Sequence, residues 1–351
     1  MKALILAAGF GTRLKPFTDS IPKACMPIFN LPQLLYGCEL LEQAGVTDII
    51  INTHHLADEV VSTIENHQAS TKLNFSFSYE AQILDSGGGI KKTQKFFEAD
   101  EDFFVLNADS LIMPENTTAL TEMMSFHKKN NALVTMGTVG INQLIPSAKT
   151  TDNNLSFGAI WQDNNKVTSI GKDRPDTQSV PEHFVGAYVF SRKAFDLLPD
   201  KEAFHIFDGL IYEEIKKENI ISYKLKNALW LETGNPTDFI FSHKKIFDLL
   251  AEDSPTVKLI IKAWERYQPS IVKQGQNIWA PKGFNTTQFE PQNHYFIGQD
   301  VLIEPEARVK GIVVIGPGQT IYDHQEISNS IVIKNSKTIP TASKEIILST
   351  T

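Results

Sequence analysis

The run Gly9-Phe10-Gly11-Thr12-Arg13, with Lys15 and Lys23 downstream, is the first place where residue types and spacing point to chemistry. Glycines let backbone N–H groups close on a polyphosphate, and the basic residues supply compensating charge. Two familiar phosphate motifs are excluded. A Walker loop needs Gly-Lys-Ser/Thr after four intervening residues, which Leu14-Lys15 does not supply. The dinucleotide fingerprint needs a small third residue where Leu14 stands. A Gly-x-Gly alone is more often a turn than a site, so charge has to add to the case. The chain carries a net charge of −8, yet residues 1–38 hold Lys2, Arg13, Lys15 and Lys23 against Asp19 alone. A basic head on an acidic chain predicts a focused anion site and argues against nucleic acid as a partner.

The elements that must position these residues follow from hydrophobic spacing. Lys2 to Ala8 reads as a short buried strand, and Pro32 to Ala44 as a helix closed by Gly45. Strands at 47–53, 73–79, 103–107 and 133–137 then alternate with helices at 56–66, 88–97 and 113–129. Such alternation implies crossover units, hence an α/β fold of Rossmann-like type: a mostly parallel sheet with helices on both faces. Ligands of such sheets bind beyond the carboxyl ends of the strands, which singles out Ala8 to Lys23 and Asn107 to Ser110. Residues 150–235 are richer in strands (155–162, 166–172, 183–190) and read as an insertion or lid layer on the same catalytic domain, followed by helices at 204–217 and 236–251. The organisation expected is a catalytic domain over 1–250, a connector over 251–295 with one helix near 257–267, a repeat module over 296–340 and a tail over 341–351.

That repeat module is legible from period alone. Ile297, Ile303, Val309, Ile315, Ile321, Ile327, Ile333 and Ile339 recur every six residues. Neither a helix nor an ordinary strand has this period, whereas each flat face of a left-handed parallel β-helix contributes six residues and buries one aliphatic. Eight faces make between two and three coils. Many acyltransferases use this architecture, and His324 is the only histidine within the repeats. Two to three coils are short for an acyl-donor groove, so a packing or oligomerisation module is favoured.

Composition bounds the remainder. Hydrophobic residues make up 42% and charged residues 21% of 351, enough for a sizeable core. No apolar stretch reaches membrane-spanning length, and the N-terminal run is broken too early by glycine for a signal peptide. Cys25 and Cys38 are the only cysteines, so a disulfide framework is excluded and a cytoplasmic location is expected. His54-His55, adjacent at a strand end, point apart and read as structural or surface residues rather than metal ligands.

Taken together, Leu6-Ala7-Ala8-Gly9-Phe10-Gly11-Thr12-Arg13-Leu14-Lys15-Pro16, then Pro22-Lys23 and Pro27, closely resemble the signature of the sugar-1-phosphate nucleotidyltransferases. The resemblance continues in Ser86-Gly87-Gly88-Gly89-Ile90, Leu106-Asn107-Ala108-Asp109, Phe184-Val185-Gly186-Ala187-Tyr188 and Trp230-Leu231-Glu232-Thr233-Gly234-Asn235-Pro236, over roughly residues 1–250. It implies a fold similar to the GT-A type and an Mg²⁺-dependent reaction between a nucleoside triphosphate and a sugar 1-phosphate. The sugar phosphate attacks the α-phosphorus in line and pyrophosphate leaves. No protein nucleophile is required, so catalysis is positioning plus neutralisation of charge.

By the same resemblance Arg13 would hold the leaving pyrophosphate and Lys23 the reacting phosphates. Asp109 and Glu232 would ligate Mg²⁺, which typically takes one or two carboxylates plus substrate phosphates. Leu6, Ala7, Ala8, Gly9, Gly11, Thr12, Gln82, Gly87 and Asn107 would complete the nucleotide site. Gly158, Lys172, Phe184, Val185 and Gly186 would line the sugar pocket. Three residues depart from the family pattern: Glu232 for the usual aspartate, Ala108 for a glycine, and Gly171 where a glutamate is expected, with Asp173 as a nearby substitute acceptor. They motivate a competing reading, a regulatory homologue that binds sugar nucleotide without turnover. Ala7-Ala8-Gly9 and Leu84 to Ile90 are similar to uridylyltransferases, including those acting on N-acetylmuramate 1-phosphate, so UTP is the favoured triphosphate. The hexapeptide tail is similar to mannose-1-phosphate guanylyltransferases, which keeps GTP as the alternative, and Gln82 suits either base edge.

Overall fold

The computed structural model describes residues 1–97, 102–141, 158–334 and 345–349. Its centre is a nine-stranded sheet built from β1 (Lys2–Leu6), β2 (Asp48–Thr53), β3 (Asn74–Tyr79), β4 (Asp102–Asn107), β5 (Val134–Gly140), β6 (Ala159–Asp163), β7 (Lys166–Gly171), β8 (Val180–Ser191) and β9 (Ile220–Lys224). The strand order is β3-β2-β1-β4-β8-β5-β9-β7-β6. The sheet is mixed rather than mostly parallel. β3, β2, β1 and β4 run parallel, as do β5 and β9, while β8 runs antiparallel to both β4 and β5. β6, β7 and β9 also pair antiparallel in sequence, so the strand-rich stretch after residue 158 continues the central sheet instead of forming a separate layer. Residues 155–157 of the strand expected there lie outside the described residues.

Alternation along the strands separates two cores. Ala3, Ile5, Ile49, Ile51, Phe104 and Leu106 face one side, against α1 (Gln33–Gln43), α2 (Ala57–His67), α4 (Ala119–Asn130), α6 (Pro236–Ala251) and α7 (Lys258–Tyr267). Leu4, Ile50, Phe103 and Val105 face the other, against α3 (Asp85–Lys92) and the turn of π-helix Phe207–Ile211 that leads into α5 (Tyr212–Lys216). Both faces are therefore covered. Asn235 caps α6, its side-chain oxygen accepting the Asp238 N–H, with Pro236 at the first helical position. None of the described helices is long and apolar enough to cross a membrane.

The C-terminal sheet pairs His294–Ile297, Arg308–Ile315 and Glu326–Lys334 in parallel. Ile297 pairs with Ile315, Val309 with Ile327 and Ile303 with Ile321, each 18 residues on and so three six-residue faces later. Ile297, Val309, Ile315, Ile321, Ile327 and Ile333 are buried; Ile339 lies outside the described residues. The segment expected as a connector with one helix supplies that helix, α7, and two strands besides, Ile271–Lys273 and Ile278–Pro281, the second parallel to His294–Ile297. At the far edge Glu345–Ser349 pairs antiparallel with Glu326–Lys334. Phe29 joins this sheet to the rest. It is fully buried, with Phe296 at 5.2 Å, Trp264 at 5.1 Å, Phe247 at 4.7 Å and His243 at 4.8 Å between ring centroids.

Candidate active site

At the carboxyl end of β1 the chain leaves the sheet through Ala7 and Ala8, both buried, and turns into the exposed tip Gly9-Phe10. Gly11 has φ 63°, and a Cβ there would sit 2.8 Å from Lys23 Cβ and 2.9 Å from Thr18 Cγ2. Only glycine fits this left-handed, crowded position. Thr12, Arg13 and Leu14 then form one turn of 3-10 helix with Leu14 buried beneath. The buried Thr18 hydroxyl donates to Gly11 O at 2.9 Å, closing the loop on itself. Lys23 opens the next short turn, and its ammonium pairs with Asp109 Oδ2.

Asp109 follows β4, and Ala108 N–H donates to Leu6 O at 3.0 Å, so the ends of β1 and β4 are tied together. Glu232 arrives from the strand Leu229–Leu231, which pairs with Leu111–Met113 just after Asp109. The Thr233 hydroxyl reaches Gln33 Oε1 at 2.8 Å and Asp109 O at 3.2 Å. Gln33 Nε2 in turn donates to Lys23 O at 2.5 Å. Gln33 and Thr233 therefore brace the Lys23–Asp109 pair from below. Thr233 stands within the Trp230 to Pro236 motif, but Gln33 is not readable as functional from sequence; a glutamine in the first turn of a helix carries no signal until its partners are known.

Glu232 Oε1 accepts the Gly234 N–H at 2.6 Å. A Cβ on Gly234 would lie 2.5 Å from that oxygen and 2.7 Å from Arg13 Nη2. The guanidinium and the carboxylate thus meet over one glycine. Arg13, Lys23, Asp109 and Glu232, drawn from positions up to 219 residues apart, are brought together at the strand ends. The arrangement offers two fixed cations for phosphate oxygens and two carboxylates for a metal. The Cys25 thiol, the nearest sulfur in sequence, is pushed up to about 12 by burial and is no nucleophile at neutral pH.

The other expected residues are placed less uniformly. Gln82 is exposed on a cleft of about 750 Å³ that runs past Leu84, Gly88 and Asp200 to Ala203, and whose lining does not include Lys23, Asp109 or Glu232. The N–H of Gly87 is engaged by Phe204 O at 2.9 Å, and a Cβ there would meet the Phe204 ring at 2.3 Å. Asn107 and Gly186 do come together. Gly186 has φ 80° in the irregular stretch of β8 between Phe184 and Tyr188, and a Cβ would sit 3.0 Å from Asn107 Nδ2 and 2.1 Å from Ser110 Oγ. Val185 is buried and Phe184 half-buried, its ring 4.5 Å from Tyr188. Beside them burial pushes His183 down to about 4, with its ring 4.2 Å from Trp230. Gly158 is exposed, a Cβ there would lie 3.9 Å from Gly171 Cα, and Lys172 is exposed next to it.

The family model described as nucleotidyl transferase matches residues 2–248. The chain belongs to this family. A UTP–glucose-1-phosphate uridylyltransferase of Synechocystis is 28% identical to this nucleotidyl transferase over 97% of the chain and 85% of the relative. A mannose-1-phosphate guanyltransferase of Saccharomyces cerevisiae is 28% identical over 73% of the chain and 67% of the relative. Among solved structures, HddC from Yersinia pseudotuberculosis superposes with a TM-score of 0.54 at 24% identity, over 70% of this chain and 98% of that one. The UDP-glucose pyrophosphorylase from Acinetobacter baumannii gives 0.57 at 19%, over 74% and 98%. These likenesses establish the α/β nucleotidyltransferase fold. The expectation of membership among the sugar-1-phosphate nucleotidyltransferases is borne out, and this nucleotidyl transferase is an enzyme of that class.

Proposed function

We propose that this enzyme condenses UTP with a sugar 1-phosphate to a nucleoside diphosphate sugar, releasing pyrophosphate, with Mg²⁺ as the divalent cation that members of the family generally use. The observation that carries the reading is the convergence of Arg13 and Glu232 over Gly234 beside the Lys23–Asp109 pair. In-line transfer needs no group to be covalently modified, only one cation on the leaving diphosphate and another on the reacting phosphate. Arg13 suits the first task by its planar fork, and Lys23 the second as a point charge. Gly9 and Gly11 present backbone N–H groups at the strand end where the triphosphate would lie. The sugar would lie on the side of Gly186, which packs against Asn107 and Ser110, with Phe184 and Val185 beside it in the same strand.

The two carboxylates fit a metal of this kind. The Asp109 side chain is 33% exposed at the strand end, and its backbone is tied to Thr233, next to Glu232. The ion proposed takes one or two carboxylates and completes its shell with phosphates and water. Asp109 and Glu232 would hold the ion, which would supply positive charge to offset the negative charge developing on the phosphates. Before substrate arrives Lys23 holds Asp109, and the two part as phosphate takes the ammonium.

UTP is favoured because the uridylyltransferase relative matches along nearly the whole chain. GTP is the second reading, supported by several guanyltransferase relatives. We further propose that the tail is a left-handed β-helix and an oligomerisation module, supported by its 18-residue register, and that the enzyme works in the cytoplasm. The test is pyrophosphate release with Mg²⁺ across UTP, GTP, dTTP, CTP and ATP, each against a panel of sugar 1-phosphates. Release with one pair, abolished by Asp109→Ala, is expected. No release with any pair would reject the reading.

A further inference from the structure

Behind the phosphate loop lies a hydrogen-bonded network that no step above uses. Asn52, at the carboxyl end of β2, and Glu80, just past β3, are 2% and 0% exposed. Asn52 Oδ1 accepts the Ala7 N–H at 2.7 Å, and Asn52 Nδ2 donates to Glu80 Oε1 at 2.7 Å. Glu80 Oε2 accepts the Leu84 N–H at 2.9 Å. A carboxylate this deep persists only with its oxygens satisfied, and here both are, by donors from two different segments. The third glycine of Gly87-Gly88-Gly89 makes room for the pair: a Cβ on Gly89 would lie 2.7 Å from Asn52 Nδ2 and 3.0 Å from Glu80 Oε1. Two histidines extend the network. His54 Nδ1 bonds to Glu80 O and His55 Nε2 to Thr18 O, both at 2.8 Å, so each of those nitrogens carries the proton.

The residues from Asn52 to His55 therefore touch three segments at once: the start of the phosphate loop at Ala7, its close at Thr18, and the turn from Glu80 to Gly89 that carries Gln82. We propose that Asn52 and Glu80 are a positioning pair that holds the phosphate loop and the Gln82 turn in register, and so set the affinity for the nucleoside triphosphate without touching it. The inference rests on the reading that the triphosphate binds along these two segments.

Hydrogen-bond polarity makes the pair testable. Glu80→Gln keeps the shape but replaces one acceptor by a donor. Either Leu84 N–H loses its acceptor, or Asn52 turns over and Ala7 N–H loses its own. Asn52→Asp alone sets two carboxylates face to face. Combined, the two changes restore every bond: the carboxylate at position 52 accepts from Ala7 N–H and from the amide at position 80, whose oxygen accepts from Leu84 N–H. Net charge is unchanged. A buried unsatisfied donor costs enough to weaken binding by about tenfold or more.

The measurement is the equilibrium affinity for Mg²⁺-UTP and Mg²⁺-GTP, with KM for each substrate wherever the wild type turns over. Both single variants are expected to raise Kd and KM for the nucleotide about tenfold, leave KM for the sugar 1-phosphate within twofold, and be rescued in the double variant to within threefold of wild type. A double variant as weak as the singles would overturn the pairing and point to a direct contact between Glu80 and the base. Singles indistinguishable from wild type, or equal losses for both substrates with a fall in Tm, would also overturn it. Should a single variant not fold, the double alone decides: it folds with wild-type nucleotide affinity or the proposal fails. A wild type that binds nucleotide but never turns over rejects the proposed reaction while leaving this binding test intact.

Discussion

Replacing Gly234 by alanine isolates the contribution of the Arg13–Glu232 arrangement. Gly234 does not have a positive φ, so the backbone accepts alanine without strain. The added Cβ meets Glu232 Oε1 at 2.5 Å and Arg13 Nη2 at 2.7 Å, while ordinary contact begins near 3.4 Å. Each group must retreat by about 0.7–0.9 Å, the difference between those distances. Both are the far ends of flexible side chains, so the fold yields cheaply and stability should change by less than about 1 kcal/mol, within the range of substitutions that create no cavity or buried clash. Catalysis is less forgiving. Misplacement by about 1 Å costs on the order of 100-fold, equivalent to about 2.7 kcal/mol of transition-state stabilisation. The assay is kcat/KM for pyrophosphate release, paired with Tm from thermal unfolding. The expected outcome is a fall of roughly 100-fold at nearly constant Tm. Activity within threefold of wild type would refute the claim that Arg13 and Glu232 act from these positions, and a matching fall in Tm would show the loss to be one of folding.

Gly186→Ala should behave in the opposite way. Its φ of 80° and the Ser110 Oγ at 2.1 Å predict about 1–2 kcal/mol of backbone strain plus about 1–3 kcal/mol of overpacking. Ser110→Ala should recover only the second share, and a denaturant midpoint unmoved by Gly186→Ala would contradict this. His243 supplies a pH prediction. Burial pushes it down to about 4 from an ordinary 6.5, and its neutral Nε2 accepts the Phe29 N–H at 3.1 Å. The folded state therefore binds fewer protons than the unfolded chain, so this contribution is complete above pH 6.5 and is lost as pH falls toward 4. At pH 5 the loss is about 2 kcal/mol. His243→Gln should flatten the fall in Tm between pH 7.5 and 5, and parallel profiles for the two proteins would refute it.

Much of this fold was legible in the sequence because periodicity reports burial. The strand expected at 47–53 forms at Asp48–Thr53 and the helix expected at 236–251 forms at Pro236–Ala251. Strand direction was not legible. The stretch Val185-Gly186-Ala187-Tyr188-Val189-Phe190 lies between two strands and is buried or nearly so throughout, and such a run reads alike whether its neighbours are parallel or antiparallel. The site divides along a similar line. Arg13, Lys23 and Asp109 could be named because they stand in short contiguous motifs. Gln33, Asn52 and Glu80 matter through networks that include partners 28 to 200 residues away, and nothing local marks a polar residue that will find such a complement only after folding.

The position of Phe29 bears on how such an enzyme could be taken apart or recombined. This ring stands six residues after Lys23, wedged among rings from α6, α7 and the repeat sheet, so the segment bearing Lys23 rests on a surface that the C-terminal third helps to build. The repeat sheet is consequently no detachable accessory. Cutting the chain near residue 250 would strip Phe29 of Trp264 and Phe296 and leave an apolar socket open to water beside the phosphate loop. A chimera that borrows the N-terminal half from one relative and the repeats from another would inherit two half-sockets never matched to each other. Exchange of parts within such a lineage is then confined to breakpoints that keep Phe29, Trp264 and Phe296 together.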